Sequence, residues 1–272
     1  MLAAVGRARH RLTEAPPWIV DDPFALVLVG PMWREIADLV TSLFPARLER
    51  RANAGLAMRS RFAEDRLQAG TFDQYVMLGA GLDSFVWRRP DLLGSLRVFE
   101  IDHPASQAWK LERVDELGLP TSANHVFVSV DFEHASLREA LDSAAFDRDR
   151  VTLFSWLGVT PYLTLGAIEE TLRTVRSCPS GSEVVFTYAP LEELLGTDDR
   201  ETLAIVAGLT AASSEPLRTF FRPEDVDALT ARCGLQVADH ADHAALVRDY
   251  FAERTDGLRP WGVEHLVAAT VP

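Results

Sequence analysis

Val76-Met77-Leu78-Gly79-Ala80-Gly81-Leu82-Asp83-Ser84 is the stretch that decides how this chain folds. A short apolar run ends in two glycines one residue apart, and a helix-like stretch follows. Continuous apolar character, rather than alternation, marks a strand covered on both faces, as in a parallel sheet. Four more runs of this kind follow, at 98–101, 126–130, 151–156 and 183–188. Their spacing of about 25 to 30 residues fits repeated βαβ units. Two later runs, 235–239 and 264–271, complete a predicted seven-stranded, doubly wound, mostly parallel α/β sheet of Rossmann-like form.

The segments between the runs carry helix punctuation. Pro104 opens one helix, which Gly118-Leu119-Pro120 closes. Thr164 caps a second that runs to Cys178, and Arg222-Pro223-Glu224 opens another that ends near Gly234. Before the first strand, Asp21-Asp22-Pro23 reads as a turn into a helix, and 47–68 is helical with an apolar stripe. The expected organisation is one domain. An N-terminal helical cap covers 1–70, a cofactor-binding core 71–190, a helical lid insertion 191–234 with breaks at Gly196 and Gly208, and terminal strands 235–272.

Composition narrows the partners. The 272 residues are 47% hydrophobic and 25% charged, which excludes collagen-like and disordered chains. Asp plus Glu number 40 against 27 Lys plus Arg, a formal charge of −13 that opposes phosphate backbones and argues against a nucleic-acid partner. Thr160-Pro161-Tyr162 only partly echoes the Asn/Asp-Pro-Pro-Tyr motif of nucleic-acid methylases. Lys110 is the sole lysine, so there is a single candidate for lysine-based chemistry. Cys178 and Cys233 form no Cys-x-x-Cys pair, so neither a metal site nor a disulfide is expected, and a reducing cytoplasm is the default. The apolar stretch 25–32 holds Gly30 and Pro31 and is too short to span a bilayer. A cytoplasmic protein acting on a small molecule is expected, with no membrane partner and with homo-oligomerisation left open.

Three strand ends carry the chemistry. Gly79 and Gly81 let backbone approach a nucleotide-like ligand outside the first strand. A dinucleotide fingerprint would place a third glycine where Ser84 stands. Asp83 beside it would repel a pyrophosphate but tolerate a cation, which favours S-adenosylmethionine over a nicotinamide cofactor. About twenty residues on, Glu100 and Asp102 share a strand face, and either can accept ribose hydroxyl protons, Asp102 ahead of Glu100. Capping of the following helix is the structural alternative for Asp102. At the third strand end, Asp131 can accept from an adenine amine while Phe132 stacks on the ring; a capping Asp and a core Phe are the alternative. In this order the three ends form the layout of a class I S-adenosylmethionine-dependent methyltransferase.

LGAGLDS, FEIDHP, SVDF and LGVTPYLT resemble the leucine carboxyl methyltransferase family, including its actinobacterial members and polyketide O-methyltransferases. Asp22-Pro23-Phe24-Ala25 and Arg59-Ser60-Arg61 match two further motifs of that family, and the resemblance covers about residues 3 to 190. It implies methyl transfer from S-adenosylmethionine, with O-methylation of a small carboxylate or phenol of secondary-metabolite type as the expected activity. By the same resemblance Arg59, with Arg61 as fallback, pairs with the methionine carboxylate. Gly79 and Gly81 line the cofactor, Asp102 holds the ribose, and Asp131 with Phe132 holds the adenine. Many relatives carry Glu where this chain has Leu157, which is expected at the cofactor as a wall without a carboxylate. Trp156 and Tyr162 are candidate walls of the acceptor site. His103, His240 and His243 read as capping or surface residues, and no catalytic base is assigned. Two other readings stay open: a non-catalytic S-adenosylmethionine-binding module, and a nicotinamide-dependent oxidoreductase. The second lacks a Tyr-x-x-x-Lys pair around Lys110.

Overall fold

The strand that leads into the glycine turn, β1 (Gln74–Leu78), is buried along its whole length. In the computed structural model, which describes residues 1–94, 96–131, 135–212 and 215–272, six more strands join it. These are β2 (Arg97–Asp102), β3 (His125–Ser129), β4 (Thr152–Trp156), β5 (Glu183–Tyr188), β6 (Gln236–Ala241) and β7 (His265–Thr270). Their order is β3-β2-β1-β4-β5-β7-β6; β1 to β5 pair in parallel, and β7 runs antiparallel to both its neighbours. All seven expected strands are present, in a Rossmann-like α/β fold.

Twelve α-helices lie among the described residues: α1 (Leu2–Thr13), α2 (Phe24–Val29), α3 (Trp33–Leu43), α4 (Ala46–Ala69), α5 (Phe85–Arg88), α6 (Pro90–Leu93), α7 (Pro104–Glu116), α8 (Leu137–Ser143), α9 (Leu165–Arg176), α10 (Thr197–Ala212), α11 (Pro223–Arg232) and α12 (His243–Tyr250). Side chains of successive strand residues point to opposite faces, so the sheet has two separate cores. Tyr75, Met77, Leu153 and Val185 pack with Val5 of α1, Leu28 of α2 and Met58 and Phe62 of α4. Val76, Leu78, Phe154 and Val184 pack with Leu141 of α8, Ile168 of α9 and Val226 of α11. Residues 1–70 thus supply much of this layer, which Phe85 of α5, Val114 of α7 and Leu246 of α12 complete.

Local signals explain the helix ends. The Thr164 side chain accepts from the Ala167 N–H (3.3 Å) at the start of α9. Asp22 accepts from the N–H groups of Phe24 (3.2 Å) and Ala25 (2.9 Å) where α2 begins. α10 runs through Gly208 without a break. α11 belongs to the sheet layer, with Val226 and Leu229 buried there. The segment that reaches over the strand ends is therefore the one through α10. A third apolar cluster joins it to the cap: Phe44, Leu48 and Ala52 meet Leu203, Trp261 and Val263. Chain order reverses between β1 and β4, and open α/β sheets bind their ligands at such a switch point. Among the described residues no helix is long and apolar enough to cross a membrane, and no cluster of His, Cys, Asp and Glu could hold a metal.

Candidate active site

The glycine turn is pinned to the neighbouring strand. The N–H groups of Gly79 and Ala80 both donate to the Ile101 carbonyl (2.9 and 3.2 Å). Gly79 has φ +70°, and a Cβ there would stand 2.6 Å from Val159 Cγ2, so the turn requires glycine. The Gly81 N–H donates to Asp102 Oδ2, and the His103 N–H donates to Asp102 Oδ1 (2.6 Å). Asp102 is thereby fixed between the turn and α7, with lone pairs left for other donors. Capping of α7 falls instead to His103, whose Nδ1 accepts from the Ala105 N–H (3.2 Å).

The other acidic and polar candidates separate cleanly. Glu100 is buried against Lys110 and lies 2.9 Å from His125 Nε2, so both it and the sole lysine belong to a closed ion cluster away from the cavity. Ser84 is buried and accepts from Arg88 Nε (2.8 Å). Asp83 accepts from the Phe85 N–H (2.7 Å) at the start of α5. Asp131 lines the cavity just beyond β3. Phe132 lies outside the described residues. His240 sits on β6, paired with Asp227 and Tyr188 (both 2.8 Å), and like His243 of α12 it does not line the cavity.

Opposite the turn, one face of α4 presents Asn53, Leu56, Arg59 and Ser60 to the same cavity. Their spacing is that of a single helical stripe. Arg61 falls on another face and pairs with Asp65 (2.7 Å) in solvent. Arg59 Nη1 donates to both oxygens of Glu264 (3.0 and 3.1 Å), just before β7. Its Nε and Nη2 have no partner among the described residues. Gly158 makes room for this pair: its φ is +70°, and a Cβ there would stand 2.3 Å from Arg59 Nη1. Burial, with the charge of Glu264 second, pushes the Tyr162 hydroxyl up to about 12. Leu157 is a half-buried part of the cavity wall, and Trp156 is buried beside Phe186 with ring centres 6.4 Å apart. Glu264 was visible in the sequence only as the start of a strand; nothing local marks it as the partner of Arg59.

The cavity measures about 1050 Å³, at the top of the range for small-molecule sites, which is about 300–1,000 Å³. That is room for a cofactor and an acceptor together. Away from the strand ends its walls are mostly apolar, with Val40, Phe44, Leu56, Leu203, Val206 and Trp261, joined by Asn53, Thr210 and Arg218. Asn53 is 5% exposed and has no hydrogen-bond partner among the described residues, so its amide is free to meet a ligand. α1 is clamped over the turn by Arg7, which donates to Asp22 (2.8 Å) and to the Leu82 carbonyl (2.7 Å). Burial disfavours the Asp22 carboxylate, but the Arg7 and Arg88 guanidiniums outweigh it and hold the group below its usual range.

Residues 1–176 match the leucine carboxyl methyltransferase family. The chain belongs to this family. Its members are class I S-adenosylmethionine-dependent methyltransferases. Among relatives, YktD of Bacillus subtilis, named for S-adenosyl-L-methionine-dependent methyl transfer, is 34% identical over 199 residues, which are 72% of this chain and 64% of YktD. The chain thus spans just under two thirds of that relative's length. A Mycobacterium sp. (strain JLS) protein of the same designation is 28% identical over 93% of this chain and 94% of its own. Among solved structures, a DUF574 family protein from Streptomyces avermitilis superposes with a TM-score of 0.62 at 15% identity, covering 100% of this chain and 97% of the other. That likeness concerns the fold alone.

The family's cofactor can be tested against the residues present. A nucleoside with a cationic amino-acid tail needs a side-chain-free turn, an acceptor for its ribose and a partner for its carboxylate. The glycine turn, Asp102 and the unspent Nε–Nη2 edge of Arg59 meet those needs in one cavity. The residues fit the group.

Proposed function

We propose that this protein transfers a methyl group from S-adenosylmethionine to an oxygen of a small molecule with an apolar body. Secondary metabolites of polyketide type, carrying a carboxylate or a phenol, fit that description. The observation that carries this reading is the continuity of one cavity from the glycine turn and Asp102 to Arg59 and the apolar chamber. Gly79 and Gly81 would let the backbone lie against the adenosine, Asp102 would accept from the ribose hydroxyls, and Asp131 from the adenine amine. Arg59 would hold the methionine carboxylate through the edge not used by Glu264. When bound, the cofactor would supply an electrophilic methyl on a sulfonium, with a neutral thioether as its leaving group.

The protein's own task is then alignment and dryness. Trp156, Leu157 and Tyr162 line the cavity and would wall the space beside the amino-acid end, and the α3–α4 and α10 side chains would enclose an apolar acceptor. Asn53 would fix one polar group of that acceptor, since a buried amide is most favourable when paired. With its hydroxyl pushed up to about 12, Tyr162 stays protonated near neutrality and is placed to be a hydrogen-bond donor rather than a base. A carboxylate acceptor is ionised at that pH and needs no base. The test is incubation of the protein with S-adenosylmethionine and a library of apolar carboxylic acids and phenols, read by mass spectrometry. Methylated acceptor with matching S-adenosylhomocysteine is expected. Cofactor binding without turnover on any oxygen acceptor would contradict the proposal.

A further inference from the structure

The cofactor's amino-acid end carries an ammonium as well as a carboxylate, and a buried ammonium needs an acceptor or a counter-charge. Six described carboxylates line the cavity: Asp83, Asp102, Asp131, Glu170, Glu215 and Glu264. Asp83 is engaged at the start of α5 and faces Arg88 (4.0 Å). Asp102 holds the Gly81 and His103 N–H groups at the end of β2. Asp131 follows β3, three strand positions from β4, so roughly 14 Å from the wall where Arg59 lies against Gly158. Glu170 and Glu215 are exposed at the rim.

Glu264 differs from all of these. Its side chain is 12% exposed, its only partner among the described residues is Arg59 Nη1, and that guanidinium keeps its other edge unspent. The end of β4, where a carboxylate could also reach this spot, offers Leu157 instead. We propose that Glu264 receives the cofactor's ammonium group, so that Arg59 and Glu264 read the zwitterionic end as a pair. Four charges of alternating sign then meet in one half-dry pocket, each beside its opposite, which neither residue achieves alone. A buried Arg–Glu pair adds little stability over an apolar substitute, so a ligand role accounts for its place on a cavity wall. This proposal rests on the cofactor reading above.

The test is a double-difference titration by calorimetry. S-adenosylhomocysteine and its deaminated analogue, which keeps the carboxylate, are titrated into the wild-type protein and into Glu264→Gln. The amine should be worth about tenfold in affinity on the wild-type protein, as a charge-assisted hydrogen bond allows. Glu264→Gln should abolish that advantage while changing the deaminated analogue by less than about twofold, the coupling such a cycle isolates. An amine advantage that survives the substitution, or an equal loss for both ligands, would overturn the assignment. Equal affinity of the wild-type protein for the two ligands would overturn it without recourse to the variant. Failure of the wild-type protein to bind either ligand would overturn the cofactor reading itself.

Discussion

The two halves of the cavity are assembled in opposite ways. On the strand-end side, Gly79, Gly81, Asp102 and Asp131 arrive at the ends of consecutive strands, each placed by the βαβ repeat. On the helical side the contacts join distant parts of the chain. Arg59 and Glu264 are 205 residues apart in sequence, and Arg51 reaches Asp199 (2.8 Å), which in turn accepts from the Gly262 N–H (2.8 Å). The first half follows from a local rule repeated three times. The second exists only once α4, α10 and the segment before β7 have come together. A fold shared by many proteins can therefore keep one half of its site while the other half is rewritten.

The clamp where the halves meet should give the largest effect. Arg7 and Arg88 hold the buried Asp22 against the glycine turn, so Asp22→Asn leaves the buried Arg7 guanidinium without its carboxylate, while Arg88 keeps Glu64 (2.6 Å). A loss of about 3–5 kcal/mol of unfolding free energy is expected from urea titration. The pH dependence follows from the depressed carboxyl. Its stabilisation is complete above the ordinary value of 3.8 and is lost as pH falls through the lower folded value. Acid titration of stability should therefore be flatter in the variant than in the wild-type protein over that window. An unchanged acid limb would show that the clamp contributes little.

Paired substitutions then separate the halves. Asp102→Ala should weaken S-adenosylhomocysteine by about tenfold or more and leave the Michaelis constant of an identified acceptor within about twofold. Val206→Phe, which fills the apolar chamber from α10, should do the reverse, with the smaller effect: acceptor KM rises severalfold at unchanged cofactor affinity. Calorimetry and steady-state kinetics read both. If both variants disturbed both ligands alike, the division between the halves would fail.

The same division decides what was legible in the sequence. Strands buried on both faces, such as β1, β4 and β5, advertise themselves as continuous apolar runs, and the more exposed edge strands β3 and β6 were legible as shorter runs in the same series. Helix α10 was less so, because Gly208 lowers helix propensity locally while packing against α4 carries the helix through it. Glu100 and Asp102 share a strand face and could not be told apart by alternation. The difference lies in Lys110 and His125, which close around Glu100 from α7 and β3. Arg59 was reachable through its family motif, and its helical neighbour Arg61 is distinguished by facing solvent. Glu264 had no signal at all, since its meaning comes from a residue on the other side of the chain.

A crystal structure with S-adenosylhomocysteine would show whether the strand-end half holds the adenosine of S-adenosylmethionine. The adenosine is expected along Gly79–Gly81, its ribose hydroxyls on Asp102, and the amino-acid end against Arg59. A ligand bound elsewhere, or one lying in the cavity with Asp102 untouched, would contradict it.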